Sequence, residues 1–369
     1  MSDNTRLLID WLLAAAEVGA SDLHIVAEHR PTIRLNGFLQ DHSAETVASE
    51  HMAALLKSIC PPDRWSEFLN NKNLDFAPVI DIDGQLQTHL GSGRNPEECR
   101  RFRANYFCAE GKMGACFRVI PSTVPDLSWA GFPQGLADRL LGIRNGLILF
   151  TGVTGSGKST SLAMMIRRLI KEGGRRIITI EDPIEYSFSS DNDSLITQRE
   201  VGLDVQSFSD GLKYGLRQDP DVMLVGEIRD RETAAFALSA AETGHLIFST
   251  MHTRDAKGAV SRLADLFPQS NQHEIRSQLA LSLRAVISQH LLPSSILGEK
   301  RELALEVMFN TSPISAAIRM GKVESIDNNI QTGKADGMYL MDDSIGRLLR
   351  DGRINRETAE RFVSDKRNL

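Results

Sequence analysis

Cysteine is scarce in this chain: Cys60, Cys99, Cys108 and Cys116 are its four, and no two stand in C-x-x-C spacing. That excludes the usual structural zinc element and leaves reduced thiols as the expectation. Long apolar runs are missing as well, and none approaches the ~18 residues of a membrane span. The apolar N-terminal stretch is interrupted by Asp10 and Glu17 and carries no cleavage-site pattern, so no signal peptide is expected. The expectation is a cytoplasmic protein without direct membrane insertion, peripheral to a membrane only through partners. Positive charge is not in excess: 42 Lys and Arg face 48 Asp and Glu, for a net charge of −6. With a pI near 5.9 and no basic groove studded with aromatics, a nucleic-acid translocase is disfavoured and no nucleic-acid partner is expected. Internal repeats, low-complexity segments and coiled-coil heptads are also absent.

The chain has 369 residues, 41% of them apolar, enough for two or three domains with their own cores. The dominant motif is GVTGSGKST at 152–160, which fits G-x-x-x-x-G-K-[ST] through Gly152, Gly157, Lys158 and Ser159. An apolar run, Leu147 to Phe150, leads into it as a buried strand. Leu162, Met165, Ile166 and Leu169 follow at helical spacing. A strand, a glycine loop and a helix N-terminus together cradle a phosphate, because backbone N–H groups and the helix dipole converge there. The expected nucleotide-binding residues are therefore Gly152, Val153, Thr154, Gly155, Ser156, Gly157, Lys158, Ser159 and Thr160. Lys158 meets the β- and γ-phosphates of ATP, and the Ser159 hydroxyl ligates Mg²⁺.

Three further stretches end where phosphate chemistry needs a group. At 177–185 a strand delivers Glu181, Asp182 and Glu185; one of these activates a water or holds the hydrated Mg²⁺, or all three are solvated acids. At 221–227 an apolar strand ends in Glu227, a Walker B-type arrangement that sets a carboxylate beside the metal, with Arg229 two residues on. At 243–253 a buried strand carries His245 at one end and His252 at the other. His252, at the C-terminal end, is level with the other site groups, and the alternative for each histidine is a structural role. No arginine finger is evident near the P-loop. Arg103 and Arg118 stand on a predicted strand pair of the N-terminal region, either as surface arginines or as charge delivered to the nucleotide.

Residues 1–122 read as an α+β domain, with helices at 5–19, 45–59 and 62–70, strands at 23–26 and 32–35, and the strand pair at 101–107 and 114–120. The polar, glycine-rich segment 91–98 reads as a mobile loop. Proline-bearing residues 123–135 read as a linker. From 136 to 290 strands and helices alternate, the signature of a parallel sheet with crossover helices: strands at 147–151, 177–180, 222–226 and 246–250, and helices at 158–171, 231–241 and 272–290. Residues 291–369 read as mostly helical (312–320, 341–350, 355–365), with a strand-like stretch at 303–309.

The Walker A segment, the acidic box at 181–185, the Walker B segment through Arg229 and the histidine box, in this order, resemble the secretion ATPase superfamily of type II secretion and type IV pili. Gly19-Ala20-Ser21-Asp22-Leu23-His24, Thr197 to Val201, Leu216 to Asp221 and Ala317-Ile318-Arg319 are similar to its pilus-retraction branch, the PilT- and PilU-type ATPases. Gly202-Leu203-Asp204 and 289–293 look more PilU-like, whereas Asp219-Pro220-Asp221 and 330–333 look more PilT-like. The stretch 78–98 is longer than the family's loop, and the tetracysteine element of type II secretion members is missing. The resemblance implies an α/β chain with an N-terminal PAS-like domain, a RecA-like P-loop core, a helical C-terminal region and a homohexameric ring. It implies that Glu185 activates water, that Glu227 is the Walker B acid (reaching Mg²⁺ through water), that His245 and His252 form the histidine pair, and that Arg103 and Arg118 are the arginines contributed by the first domain. The implied work is ATP hydrolysis driving type IV pilus retraction and twitching motility, on an inner-membrane platform protein and with room for a second retraction ATPase. An accessory PilU-like ATPase and a conjugation or type IV secretion ATPase share the same boxes.

Overall fold

The computed structural model describes residues 2–35, 37–81, 83–87, 99–120, 123–296 and 299–366. The loop expected at 91–98, and most of the long stretch ending there, lies outside them. The chain forms two compact units, Met1–Thr123 with Glu185–Ser189, and Val124–Ile184 with Ser190–Leu369.

The first unit begins with α1 (Asp3–Glu17), started by the Ser2 hydroxyl accepting from the Thr5 N–H and burying Leu8, Ile9, Leu12 and Ala15. It continues through β1 (Asp22–Val26), β2 (Thr32–Leu35), β3 (Phe38–Asp41), α2 (Ser49–Lys57), α3 (Pro62–Asn71), β4 (Asn73–Phe76), β5 (Val79–Asp81), β6 (Leu86–Gln87), β7 (Cys99–Ala109) and β8 (Lys112–Ile120). Among the described residues the strands form one antiparallel sheet in the order β3-β2-β1-β8-β7-β5-β6, with β4 also paired to β7. Period-two alternation sends Phe102, Ala104 and Tyr106 of β7 and Phe117 of β8 into the core. The fully buried Tyr106 donates its hydroxyl to the Leu56 carbonyl at 2.9 Å, and burial pushes the phenol far above its ordinary pKa. The same alternation turns Arg103 and Arg118 to the other face, where they are register partners.

The second unit runs α4 (Leu127–Ala130), α5 (Gln134–Leu141), β9 (Gly146–Thr151), α6 (Lys158–Glu172), β10 (Arg176–Glu181), β11 (Leu195–Glu200), α7 (Phe208–Gly215), β12 (Val222–Val225), α8 (Arg231–Glu242), β13 (Leu246–Met251), α9 (Ala256–Asp265), α10 (Gln272–Ser282), β14 (Leu283–Leu292), β15 (Glu302–Phe309), α11 (Ser312–Met320), α12 (Ile326–Thr332), α13 (Met341–Arg350) and α14 (Arg356–Phe362). The sheet order is β11-β10-β12-β13-β9-β14-β15. Every neighbouring pair is parallel except β14 with β15. β9 and β13 are buried along their whole length, as strands covered on both faces must be. Among the described residues no helix is long and apolar enough to cross a membrane.

Two expectations change. Residues 127–130, inside the stretch read as linker, are helical. The helix expected over 272–290 stops at Ser282, and 283–292 is a strand. Ile275, Leu279, Leu283 and Ile287 recur every fourth residue, which carries the helical period past the true end. Pairing decides otherwise: β9 needs a partner on its second edge, and β14 supplies it in parallel, with β15 beyond. The core sheet therefore continues through Phe309.

β15 also buries a carboxylate. Glu306 is 4% exposed and accepts the N–H of Ala256 at 2.8 Å and of Met341 at 3.4 Å. Burial raises its pKa from 4.5 to about 7, helped by the charges of Asp255 and Asp327 and opposed by the two N–H donors. The folded protein thus holds a proton that the unfolded chain releases between pH 4.5 and about 7, and stability falls as pH rises through that window, by about 3 kcal/mol in all. Glu306→Gln does not titrate there. Chemical denaturation across the window should show wild-type stability falling by about 3 kcal/mol relative to this variant, and parallel pH curves would contradict the assignment.

Candidate nucleotide-binding and hydrolysis site

The loop after β9 has the backbone that phosphate binding needs. Gly152, Gly155 and Gly157 have φ of 144°, 77° and 89°. At Gly152 a side chain is excluded twice: a Cβ would lie 2.5 Å from the Gln289 carbonyl oxygen and 2.5 Å from the Ser156 Oγ. Gly157 hands the chain directly to α6, whose first N–H groups face out of the helix end. Lys158, 7% exposed, curls over the loop and donates Nζ to the carbonyls of Gly152 at 2.8 Å and Val153 at 3.0 Å. β14 braces the loop from the side. Thr151 Oγ1 donates to Ser288 Oγ at 2.9 Å, the Gln289 amide donates to Ser161 Oγ at 3.0 Å, and Leu291 lies 3.5 Å from where a Gly157 Cβ would sit.

The acid comes from β12, which lies in the same sheet with β13 between it and β9. Parallel strands bring the ends of β9, β12 and β13 to one edge, where an α/β sheet binds ligands. Glu227 is 8% exposed and forms an ion pair with Arg229, Nε to Oε2 at 2.6 Å. His252 Nε2, just past β13, is 3.3 Å from the same oxygen. Their backbones are tied together: Thr250 Oγ1 donates to the Gly226 carbonyl at 2.6 Å and the Ile228 N–H to the Thr250 carbonyl at 3.0 Å. A buried carboxylate beside an arginine and a histidine can hold a hydrated cation or organise a water.

His245 does not join this group. It stands before β13, at the opposite end of a six-residue strand from His252, about 20 Å of chain away. Its Nδ1 lies 3.1 Å from the Ala240 carbonyl oxygen, a local helix-end contact. In the acidic box, Glu181 accepts from Thr179 Oγ1 at 2.7 Å and Gln198 Nε2 at 3.2 Å, which keeps it on the sheet. Glu185 is exposed and belongs to the segment Glu185–Ser189 of the first unit, where Arg101 donates to Ser187 Oγ at 3.0 Å. Arg103 and Arg118 are also on the first unit, 3.8 Å from Asp75 and 3.0 Å from Asp22. Side by side on an exposed face, they repel each other, and these carboxylates offset part of that repulsion. Sequence reading missed Ser288, Gln289 and Glu306. Polar side chains inside an apolar strand were the available signal, hidden at 288–289 by the helical period.

The Ser159 hydroxyl and the Glu227 carboxylate are hard oxygen donors that could hold a cation such as Mg²⁺. Among the described residues no cluster of three or more His, Cys, Asp or Glu could hold a metal.

Residues 118–332 match the profile of the type II/IV secretion system protein family. The chain belongs to that family. Across 95% of its length it is 38% identical to the type IV pilus retraction ATPase PilT of Pseudomonas aeruginosa PAO1, covering 96% of that protein. It is 39% identical to the uncharacterised protein YggR of Escherichia coli K12, over 90% of this chain and 95% of that one. The crystal structure of the pilus retraction motor PilT with bound ADP superposes with a TM-score of 0.84 over 98% of both chains, at 36% identity. As in that relative, the α/β architecture of this family member is that of a RecA-like ATPase.

The glycine at 152 is the most demanding position of the loop. Gly152→Ala places a methyl against a backbone carbonyl at a φ that only glycine adopts readily, a strain of about 1–3 kcal/mol. ATP affinity measured by fluorescent-nucleotide titration should fall at least about tenfold, the equivalent of ~1.4 kcal/mol. Unchanged affinity would show that the loop does not meet nucleotide in this conformation.

Proposed function

We propose that this chain is the ATP-hydrolysing retraction motor of a type IV pilus. The observation that carries the reading is the likeness to PilT along almost the entire chain, together with a P-loop and a paired carboxylate on one sheet edge. In this reading the 152–160 loop binds the triphosphate, and Lys158 leaves its loop carbonyls for the β- and γ-phosphates. Ser159 and Glu227 would hold Mg²⁺, the acid through water, and that ion supplies charge neutralisation on the phosphates. Glu227 stays oriented by Arg229 and His252. Glu185 takes a proton from the attacking water. Arg103 and Arg118 stabilise charge on the transferring phosphoryl group, a contribution that can reach roughly 10³–10⁵ in rate. His245 has no part in the chemistry of this reading.

The proposed assembly is a homohexamer in the cytoplasm, docked on an inner-membrane platform protein. Residues 1–122 are proposed as the PAS-like domain, and the ATPase core is proposed to extend through β15. The PilU-like residues at 202–204 support a second reading, an accessory motor working beside another retraction ATPase. Deleting the gene separates the two: loss of all retraction fits the main motor, and loss only under load fits the accessory one.

The site assignment predicts that Lys158→Ala and Glu185→Ala each lower steady-state ATP turnover at least about hundredfold, measured by phosphate release. Glu185→Ala should keep nucleotide affinity. Substantial turnover in both variants would overturn the assignment.

A further inference from the structure

Glu306 has no place in the chemistry above, yet it is fastened to the segment that carries His252. Four residues, His252 to Asp255, connect the end of β13 to the start of α9. One end is held by the sheet, where Met251 is the register partner of Thr151. At the other end the Asp255 side chain accepts from the Gly258 N–H at 2.7 Å, and Glu306 accepts from the Ala256 N–H at 2.8 Å. The Asp255 contact closes the first turn of α9 on itself. The Glu306 hydrogen bond ties that turn to the sheet across fifty residues of chain, beside the apolar packing of Ala256, Ala259 and Val260 and the Lys257–Asp327 pair at 2.7 Å. Glu306 lies opposite Ser288, and Ser288 lies opposite Thr151, the residue before the P-loop. The three are buried side by side on one face of the sheet. The second carboxylate oxygen of Glu306 accepts from Met341, the first residue of α13.

We propose that Glu306 is a positioning residue of the hydrolysis site: its carboxylate pins the start of α9 to the sheet, fixes the His252–Asp255 segment, and so holds His252 against Glu227. The same carboxylate joins this segment to α13, so a shift of the segment is felt at the C-terminal helices. The inference rests on the reading of His252 as a site residue.

The test compares Glu306→Leu, which removes both acceptors, with Glu306→Gln, which keeps the shape and one acceptor oxygen for the Ala256 N–H and gives up the longer contact to Met341. Glu306→Asp keeps the carboxyl group but withdraws it by about 1.5 Å, and it serves if Glu306→Leu does not fold. Three readouts are taken on the full-length protein: kcat and KM for ATP, amide hydrogen exchange of the peptide spanning 252–260, and the His252 imidazole signals by NMR. For Glu306→Leu and Glu306→Asp we expect faster exchange at 252–260, shifted His252 signals and kcat lowered about tenfold or more, with KM within about threefold. Glu306→Gln should restore all three toward wild type. Unchanged exchange and unchanged kcat in Glu306→Leu or Glu306→Asp would overturn the proposal, as would a Glu306→Gln variant no better than Glu306→Leu. His252→Ala is measured alongside. If it retains wild-type kcat, the reading of His252 fails; if it loses activity while the Glu306 variants do not, only the present inference fails.

Discussion

A carboxylate that is nine-tenths buried must be compensated, because taking it out of water costs several kcal/mol. Glu227 solves this with Arg229 at 2.6 Å and His252 at 3.3 Å on one oxygen. Much of the second unit follows from putting those groups together. Arg229 comes from the same turn as the acid, so it needs only the chain reversal after β12. His252 comes from β13, and it can reach Glu227 only because β12 and β13 run parallel and end on the same edge. The Thr250 hydroxyl and the Ile228 N–H then lock the two strand ends by donating to main-chain carbonyls.

The P-loop poses a different problem on the same edge. Its glycines give up side-chain packing so that backbone can turn and approach a ligand, and the surrounding structure has to supply the missing rigidity. β14 does so: the Gln289 carbonyl fills the space that a side chain at Gly152 would take, while Ser288 and Gln289 grip Thr151 and Ser161. Glu306, one strand further, is another buried carboxylate of this sheet, and it differs from Glu227 in what faces it. Two main-chain N–H groups stabilise its charge and Asp255 and Asp327 oppose it. A carboxyl in such surroundings keeps its proton to about pH 7. This contrast separates an acid paired with an arginine and a histidine at the strand ends from one built into the frame.

How much of this was legible in the residues depended on the range of the interaction that decides each feature. Spacing within nine residues specifies the P-loop, since positive φ favours glycine at 152 and 157 and phosphate charge calls for a lysine at the helix start. Apolar runs ending in Glu227 and His252 were legible as strand ends, and strand direction is what separates His252 from His245. The strand pair carrying Arg103 and Arg118 could be read from alternation. β14 could not: Ile275, Leu279, Leu283 and Ile287 keep a helical beat, and only the empty edge of β9 turns the second half into a strand. Glu306 was visible as a polar side chain in a legible apolar strand, but what it holds was hidden. Its partners are main-chain N–H groups fifty residues earlier and thirty-five residues later, and no side-chain pattern announces them.

In the proposed function the edge shared by β9, β12 and β13 hydrolyses ATP with Glu227 as its metal-side acid. Glu227→Gln tests it most directly, because it removes the charge with almost no change of shape. With ATP turnover and nucleotide affinity measured on the same preparation, turnover should fall at least about hundredfold while affinity stays within about threefold. Turnover equal to wild type would contradict the account.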